Sequence, residues 1–227
     1  MRMKMLLLGV SLSMSLPALA QEVKPLELSR VPKRGQAPKD FVPSGWTIEE
    51  TIKGDLDKNG GEDTLLQLVE DKPASTEEGV PNDRARALLA LLSEGGALRL
   101  AGASNQVLYC TTCTGTLGGS GEGLVKIAKG VVLIDQLSGS RDTTHTLLRF
   151  RYDAKVGRFA FIGEDVDKTD RLEGTTSKVS TNLLTGQRVT ENLRYDVKKE
   201  KDVPVSSKKS QVPVKKAYLE DVDISKY

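Results

Sequence analysis

Ten consecutive residues, Gly54-Asp55-Leu56-Asp57-Lys58-Asn59-Gly60-Gly61-Glu62-Asp63, place oxygen-bearing side chains in the pattern D-x-D-x-N-G-x-x-D. Oxygens of Asp55, Asp57 and Asn59 can converge on one ion. Gly60 permits the sharp turn, Gly61 offers its carbonyl, and Asp63 falls at the ninth position. Hard oxygen donors of this kind suit Ca²⁺. The Glu that an EF-hand carries at its twelfth position is replaced by Leu66, and both flanks read as strands, so this is not an EF-hand. The metal-free alternative is an Asx-rich turn in which the same side chains cap backbone amides.

The second chemical motif is Cys110-Thr111-Thr112-Cys113, which holds both cysteines of the chain. An even count in an exported protein points to a disulfide. A redox C-x-x-C is the alternative, but it needs a thiolate stabilised at a helix N-terminus. The glycine-rich run after Cys113 is a poor helix. Zinc would need two further ligands, and His145 is the lone histidine.

Other catalytic options are thinner. A Ser-His-Asp triad would have to use His145. Glu164, Asp165, Asp167 and Asp170 follow an apolar run at 159–162 and could supply a general acid and base; the alternative is a solvated acidic turn. The glycine-rich stretch 115–123 lacks the G-K-[ST] ending of a phosphate loop, and Ser120 does not sit in a G-x-S-x-G elbow. It reads as a flexible loop.

These residues must be held by short apolar runs separated by Gly, Asp, Asn and Lys. Five pairs of runs are joined by turns: 47–53 with 64–69, 86–92 with 97–100, 124–128 with 131–134, 147–152 with 158–162, and 178–184 with 187–193. This spacing predicts a mainly β fold, an antiparallel meander of hairpins that forms a curved sheet, a small barrel or a propeller-like fragment. Leu148, Phe150 and Tyr152 share one face of a strand, with Phe159 and Phe161 opposite them. Ala85 to Leu92 is rich in helix formers, yet the Gly95-Gly96 turn and the run after it favour a strand. Trp46 reads as a core anchor at the start of the domain.

The strand–GDLDKNGGED–strand unit resembles the calcium loop of FG-GAP and VCBS-type β-propeller repeats. Together with FVPSGW, the cysteine loop, LLRFRYDAKVGRFAFIGED, TNLLTGQ and YLEDVD, the order of pieces over 41–224 resembles a group of uncharacterised exported bacterial proteins. The resemblance implies that Asp55, Asp57, Asn59 and Asp63 bind Ca²⁺. Propeller repeats carry several such loops and this chain carries one; ten short strands cannot fill four four-stranded blades.

The chain has 227 residues and 38% hydrophobic content. Residues 1–20 combine a basic start, an uncharged apolar run from Met5 to Leu16 and a small-x-small site ending at Ala20, the three parts of a cleaved signal peptide. Its removal takes away Arg2 and Lys4 and no acid, so the remaining basic and acidic side chains balance. Balanced charge and ten aromatic residues exclude a general nucleic-acid binder. No other segment is long enough for a transmembrane helix, so stable membrane insertion is not expected. The expected organisation is a signal peptide at 1–20, a flexible leader at 21–40, a β domain at 41–194 and a charged tail at 195–227 that docks in part, through Tyr218 and Leu219. The expected product is periplasmic or secreted: a non-catalytic binding protein for an envelope or secreted partner, ordered by one Ca²⁺. The alternative is a periplasmic enzyme, either a carboxylate-based hydrolase or a thiol oxidoreductase.

Overall fold

The computed structural model describes residues 23–73, 83–117 and 123–227, so the expected signal peptide at 1–20 lies outside the described residues, as does much of the glycine-rich loop. The fold is mainly β, as the turn spacing predicts. Among the described residues, twelve strands form two open antiparallel sheets, and neither sheet closes on itself as a barrel. The first sheet contains β1 (Arg34–Gly35), β2 (Trp46–Gly54), β3 (Asp63–Glu70), β4 (Arg86–Glu94) and β5 (Ala97–Ser104), in spatial order β1-β5-β4-β3-β2. The second contains β6 (Val125–Ala128), β7 (Val131–Gly139), β8 (Asp142–Asp153), β9 (Arg158–Asp170), β10 (Thr175–Asn182), β11 (Gln187–Asp196) and β12 (Lys201–Gln211), a meander in chain order. All five expected hairpins form. Among the described residues no helix is long and apolar enough to cross a membrane.

The helix-forming residues of β4 lie in a strand because both faces of that strand are covered. Leu88, Ala90 and Leu92 join the inter-sheet core with Leu65, Ile134, Leu148, Phe150 and Phe159. Ala87, Leu89 and Leu91 join a second core with Leu66, Leu68, Leu26, Val31 and Phe41. A strand buried on both sides reads as a continuous apolar run, and its period-2 signal disappears. Phe150 stands opposite Phe161 and Tyr152 opposite Phe159, with ring centroids 5.0 and 5.3 Å apart. Trp46 packs, half-buried, against the second core.

That second core corrects the reading of 21–40 as a flexible leader. From residue 23 onward this segment lies on the outer face of the first sheet, with Leu26, Val31 and Phe41 almost fully buried. Burying each such side chain contributes roughly 1.5–3 kcal/mol. β1 adds two residues to the edge of β5, and Gly35 is required there, since a Cβ would lie 2.8 Å from the Phe41 ring.

The segment 195–227 is also ordered. Its first part completes β11 and forms β12. Its last ten residues strap across the core, burying Leu219, Val222 and Ile224. Ile224 N donates to the Gln106 carbonyl (2.9 Å), and the Tyr227 hydroxyl donates to Glu164 (2.7 Å).

The sheets differ in coverage. Strands β6 to β8 and the start of β9 lie over the first sheet. The β10–β12 half extends past it as a wing, and no residue of β11 or β12 is buried.

Candidate functional site

The motif Asp55–Asp63 forms the β2–β3 turn. Asp55, Asp57 and Asp63 present carboxylate oxygens within 4.8 Å of one another, with Asp55 and Asp57 half-buried and Asp63 buried. Backbone amides hold this arrangement. Asn59 N donates to Asp55 Oδ1 and Asp57 Oδ1, both at 3.1 Å, and Gly60 N donates to Asp55 Oδ2 at 3.1 Å. Asp63 Oδ2 accepts from Leu56 N (2.8 Å) and Oδ1 from Ser93 N on β4 (2.8 Å), which ties the turn to the sheet. The left-handed backbone at Gly60 (φ 87°) closes the turn.

The residues fit a hard cation. Three carboxylates converge, and each oxygen that accepts one amide keeps a second lone pair. Asp55, Asp57 and Asp63 would hold Ca²⁺. Asn59 braces the cluster from within: its Oδ1 accepts from Gly61 N (2.6 Å), and its Nδ2 donates to Asp57 Oδ2 (3.0 Å). The Asx-turn hydrogen bonds and the carboxylate cluster are therefore present together. The turn also rests on the second sheet, with a shallow hollow between Asp55, Lys58, Ile127 and Gly130.

Cys110 and Cys113 are disulfide-bonded, with Cα atoms 5.1 Å apart. The residues after Cys113 form turns, so no helix end lies there to stabilise a thiolate among the described residues. Arg86 reaches the same loop and donates to the Tyr109 and Cys110 carbonyls, both at 3.4 Å.

The acidic group 164–170 is not a turn. It belongs to β9, which runs four residues beyond Val166, and strand alternation splits it between two faces. Asp165 is held by Arg149 (2.5 Å) and Ser180 (2.6 Å). Partial burial raises its pKa, but those hydrogen bonds outweigh burial and leave it below the ordinary carboxylate value. Asp167 faces Lys178 at 3.5 Å. Asp170 caps the β9–β10 turn through the Glu173 and Leu172 amides and meets Arg141; the Glu173 amide is the main cause of its lowered pKa. A general acid needs the opposite shift. His145 lies on an exposed face with Nε2 2.6 Å from Asp135 Oδ1. That pair is a surface contact between β7 and β8.

Sequence reading missed two features. One is a buried polar cluster of Glu49, Gln67 and Arg86. A bulge in β2 between Ile48 and Glu50 turns Glu49 inward, where both its oxygens meet Arg86 at 2.7 Å and Oε2 also meets Gln67 Nε2 at 2.8 Å. The only signal was an arginine ahead of the apolar run. The other is a groove of about 570 Å³ at one end of the wing, lined by Thr143, Thr169, Thr176, Leu193 and Val205. The first four form one register row across β8 to β11, and the Thr169 and Thr176 hydroxyls are 3.0 Å apart. Leu172 (70% exposed), Val197 (78%) and Val205 (66%) stand near it on the wing. No family model, curated protein or solved structure matches this chain.

Proposed function

We propose that the chain is an exported, non-catalytic interaction protein that recognises another envelope or secreted protein through the uncovered wing, with one Ca²⁺ ordering the 55–63 turn. The observation that carries the reading is the wing itself. An antiparallel sheet ordinarily keeps one face on a core, and here β11 and β12 bury no residue on either face, while large apolar side chains stand free beside a groove. Exposed apolar groups gathered beside a concavity mark interaction surfaces. The paired carboxylates of β9 favour this reading over a hydrolase, and the bonded cysteines in a turn favour it over a thiol oxidoreductase. The single D-x-D-x-N-G-x-x-D turn and its likeness to propeller calcium loops support the metal.

Site-specific photo-crosslinking tests the surface. A crosslinker at Val205 should capture one discrete partner in the envelope, and Leu193→Asp should abolish capture without lowering the melting temperature. Capture that is equally strong from a crosslinker at Val156, on the β8–β9 turn, would reject the wing as the recognition surface. The metal is tested separately by melting in millimolar Ca²⁺ and in chelator. A hundredfold excess over Kd contributes about 2.7 kcal/mol, or about 5–11 °C for a chain of this size. Asp57→Ala should remove the difference; equal melting of the wild type in both buffers would sink the calcium assignment.

A further inference from the structure

We infer that the other end of the wing docks on the surface of an anionic phospholipid bilayer. This inference is independent of the groove reading, because it uses the opposite ends of β10 and β11. The β10–β11 turn at 183–186 is tied to the chain that leaves β12: Val212 N donates to the Gly186 carbonyl at 2.8 Å, and Gln211 Nε2 donates to the Thr185 carbonyl at 2.5 Å. These contacts bring two apolar side chains to one tip, Leu184 (51% exposed) and Val214 (55%). Together with Phe161, Leu183 and Ala217 they line an apolar cleft of about 180 Å³.

Cations surround the tip. Lys208 and Lys209 lie at the end of β12, and Lys215 and Lys216 rim the cleft; all four are exposed. Residues 203–219 contain no acid. None of the four lysines is paired with a carboxylate among the described residues. The acids nearest the cleft are engaged elsewhere: Glu220 and Asp221 with Arg158 (2.6 and 3.7 Å), Glu164 with Tyr227 and Arg188, and Asp153, which lines the cleft, with the Lys155 amide (3.0 Å); Glu191, diagonal to Lys209 across β11 and β12, is the one acid beside Lys208 and Lys209 among the described residues. The local excess of positive charge stands out in a chain whose charges nearly balance as a whole. A small apolar tip ringed by lysines suits a bilayer interface, where the apolar groups enter the acyl boundary and the ammonium groups meet lipid phosphates. A purely acidic polypeptide would satisfy the lysines but leave Leu184 and Val214 in water.

The test is co-sedimentation of the protein, in the form that accumulates in its host, with vesicles of phosphatidylglycerol and phosphatidylcholine or of phosphatidylcholine alone. Binding is expected only to the anionic vesicles and should fall as salt rises. Lys215→Glu with Lys216→Glu should lower the partition coefficient by about tenfold or more. Leu184→Ser should lower it severalfold while the melting temperature stays unchanged. No binding, equal binding to both vesicle types, or anionic binding that survives both changes would overturn the inference. Binding to soluble polyglutamate as strong as to the vesicles would assign the lysines to an acidic polypeptide and overturn it too.

Discussion

Replacing Glu49 with Gln should cost this protein more than any other single-atom exchange on the first sheet. The Arg86 side chain is 1% exposed and its guanidinium is held by both Glu49 oxygens. Gln keeps the shape and removes the charge, which leaves a buried cation opposite a neutral amide. Removing one partner of a buried pair costs about 3–5 kcal/mol, and the 15% exposure of the Glu49 side chain places this case near 3. At about 2–4 °C per kcal/mol, the melting temperature should fall by roughly 6–12 °C. The acid limb of the stability curve supplies a second readout. Burial raises the Glu49 pKa, but the hydrogen bonds from Arg86 and Gln67 more than reverse this and hold it below the ordinary 4.5. A carboxylate with a lowered folded pKa stabilises fully above its unfolded pKa, and that contribution is lost as pH falls through the folded value. Wild type should therefore lose stability below pH 4.5 more steeply than Glu49→Gln. Calorimetry across pH measures both effects. The double variant Glu49→Met with Arg86→Met should recover part of the loss, because no buried charge remains. A Glu49→Gln protein that melts within about 2 °C of wild type and shows the same acid slope would refute the reasoning.

Two further outcomes are expected. Reducing Cys110–Cys113, or replacing both with Ser, opens a loop with a sequence separation of 3. The chain-entropy model gives about 2 kcal/mol for so short a loop, which a urea midpoint taken with and without reductant would show; a far larger loss would mean that the loop carries more than a local staple. Ile224→Ala should cost about 2–5 kcal/mol, because Ile224 is 3% exposed in the inter-sheet core, and an unchanged midpoint would mean that the C-terminal strap is undocked in solution.

Much of the architecture is readable from local pattern. Alternation and glycine turns give the hairpins, since a turn that needs a left-handed residue shows its glycine and a strand with one wet face shows its period. The 55–63 turn is legible for the same reason: its oxygen side chains and its backbone donors are all neighbours in sequence. Even the division of Glu164, Asp165, Asp167 and Asp170 between two faces follows from period 2 once β9 is known to continue through Asp170; the error was to end the strand too early.

Other features depend on partners distant in the chain. Leu26, Val31 and Phe41 are too sparse to read as a layer, and they become one only because they cover Leu66, Leu68, Leu89 and Leu91. That same covering makes Ala87 to Leu92 a strand against its helix propensity, since burial on both faces outweighs a local preference of a few tenths of a kcal/mol per residue. The inward turn of Glu49 depends on a bulge that no residue type announces. The wing is decided at the tertiary level as well: β11 and β12 have the composition of ordinary strands, and only the extent of the first sheet determines that, among the described residues, nothing buries them. Sequence by itself fixed which segments pair with their neighbours, through interactions between residues close in the chain. The stacking of the sheets, the buried ion pair and the uncovered surface came from contacts across the whole chain, where packing decides.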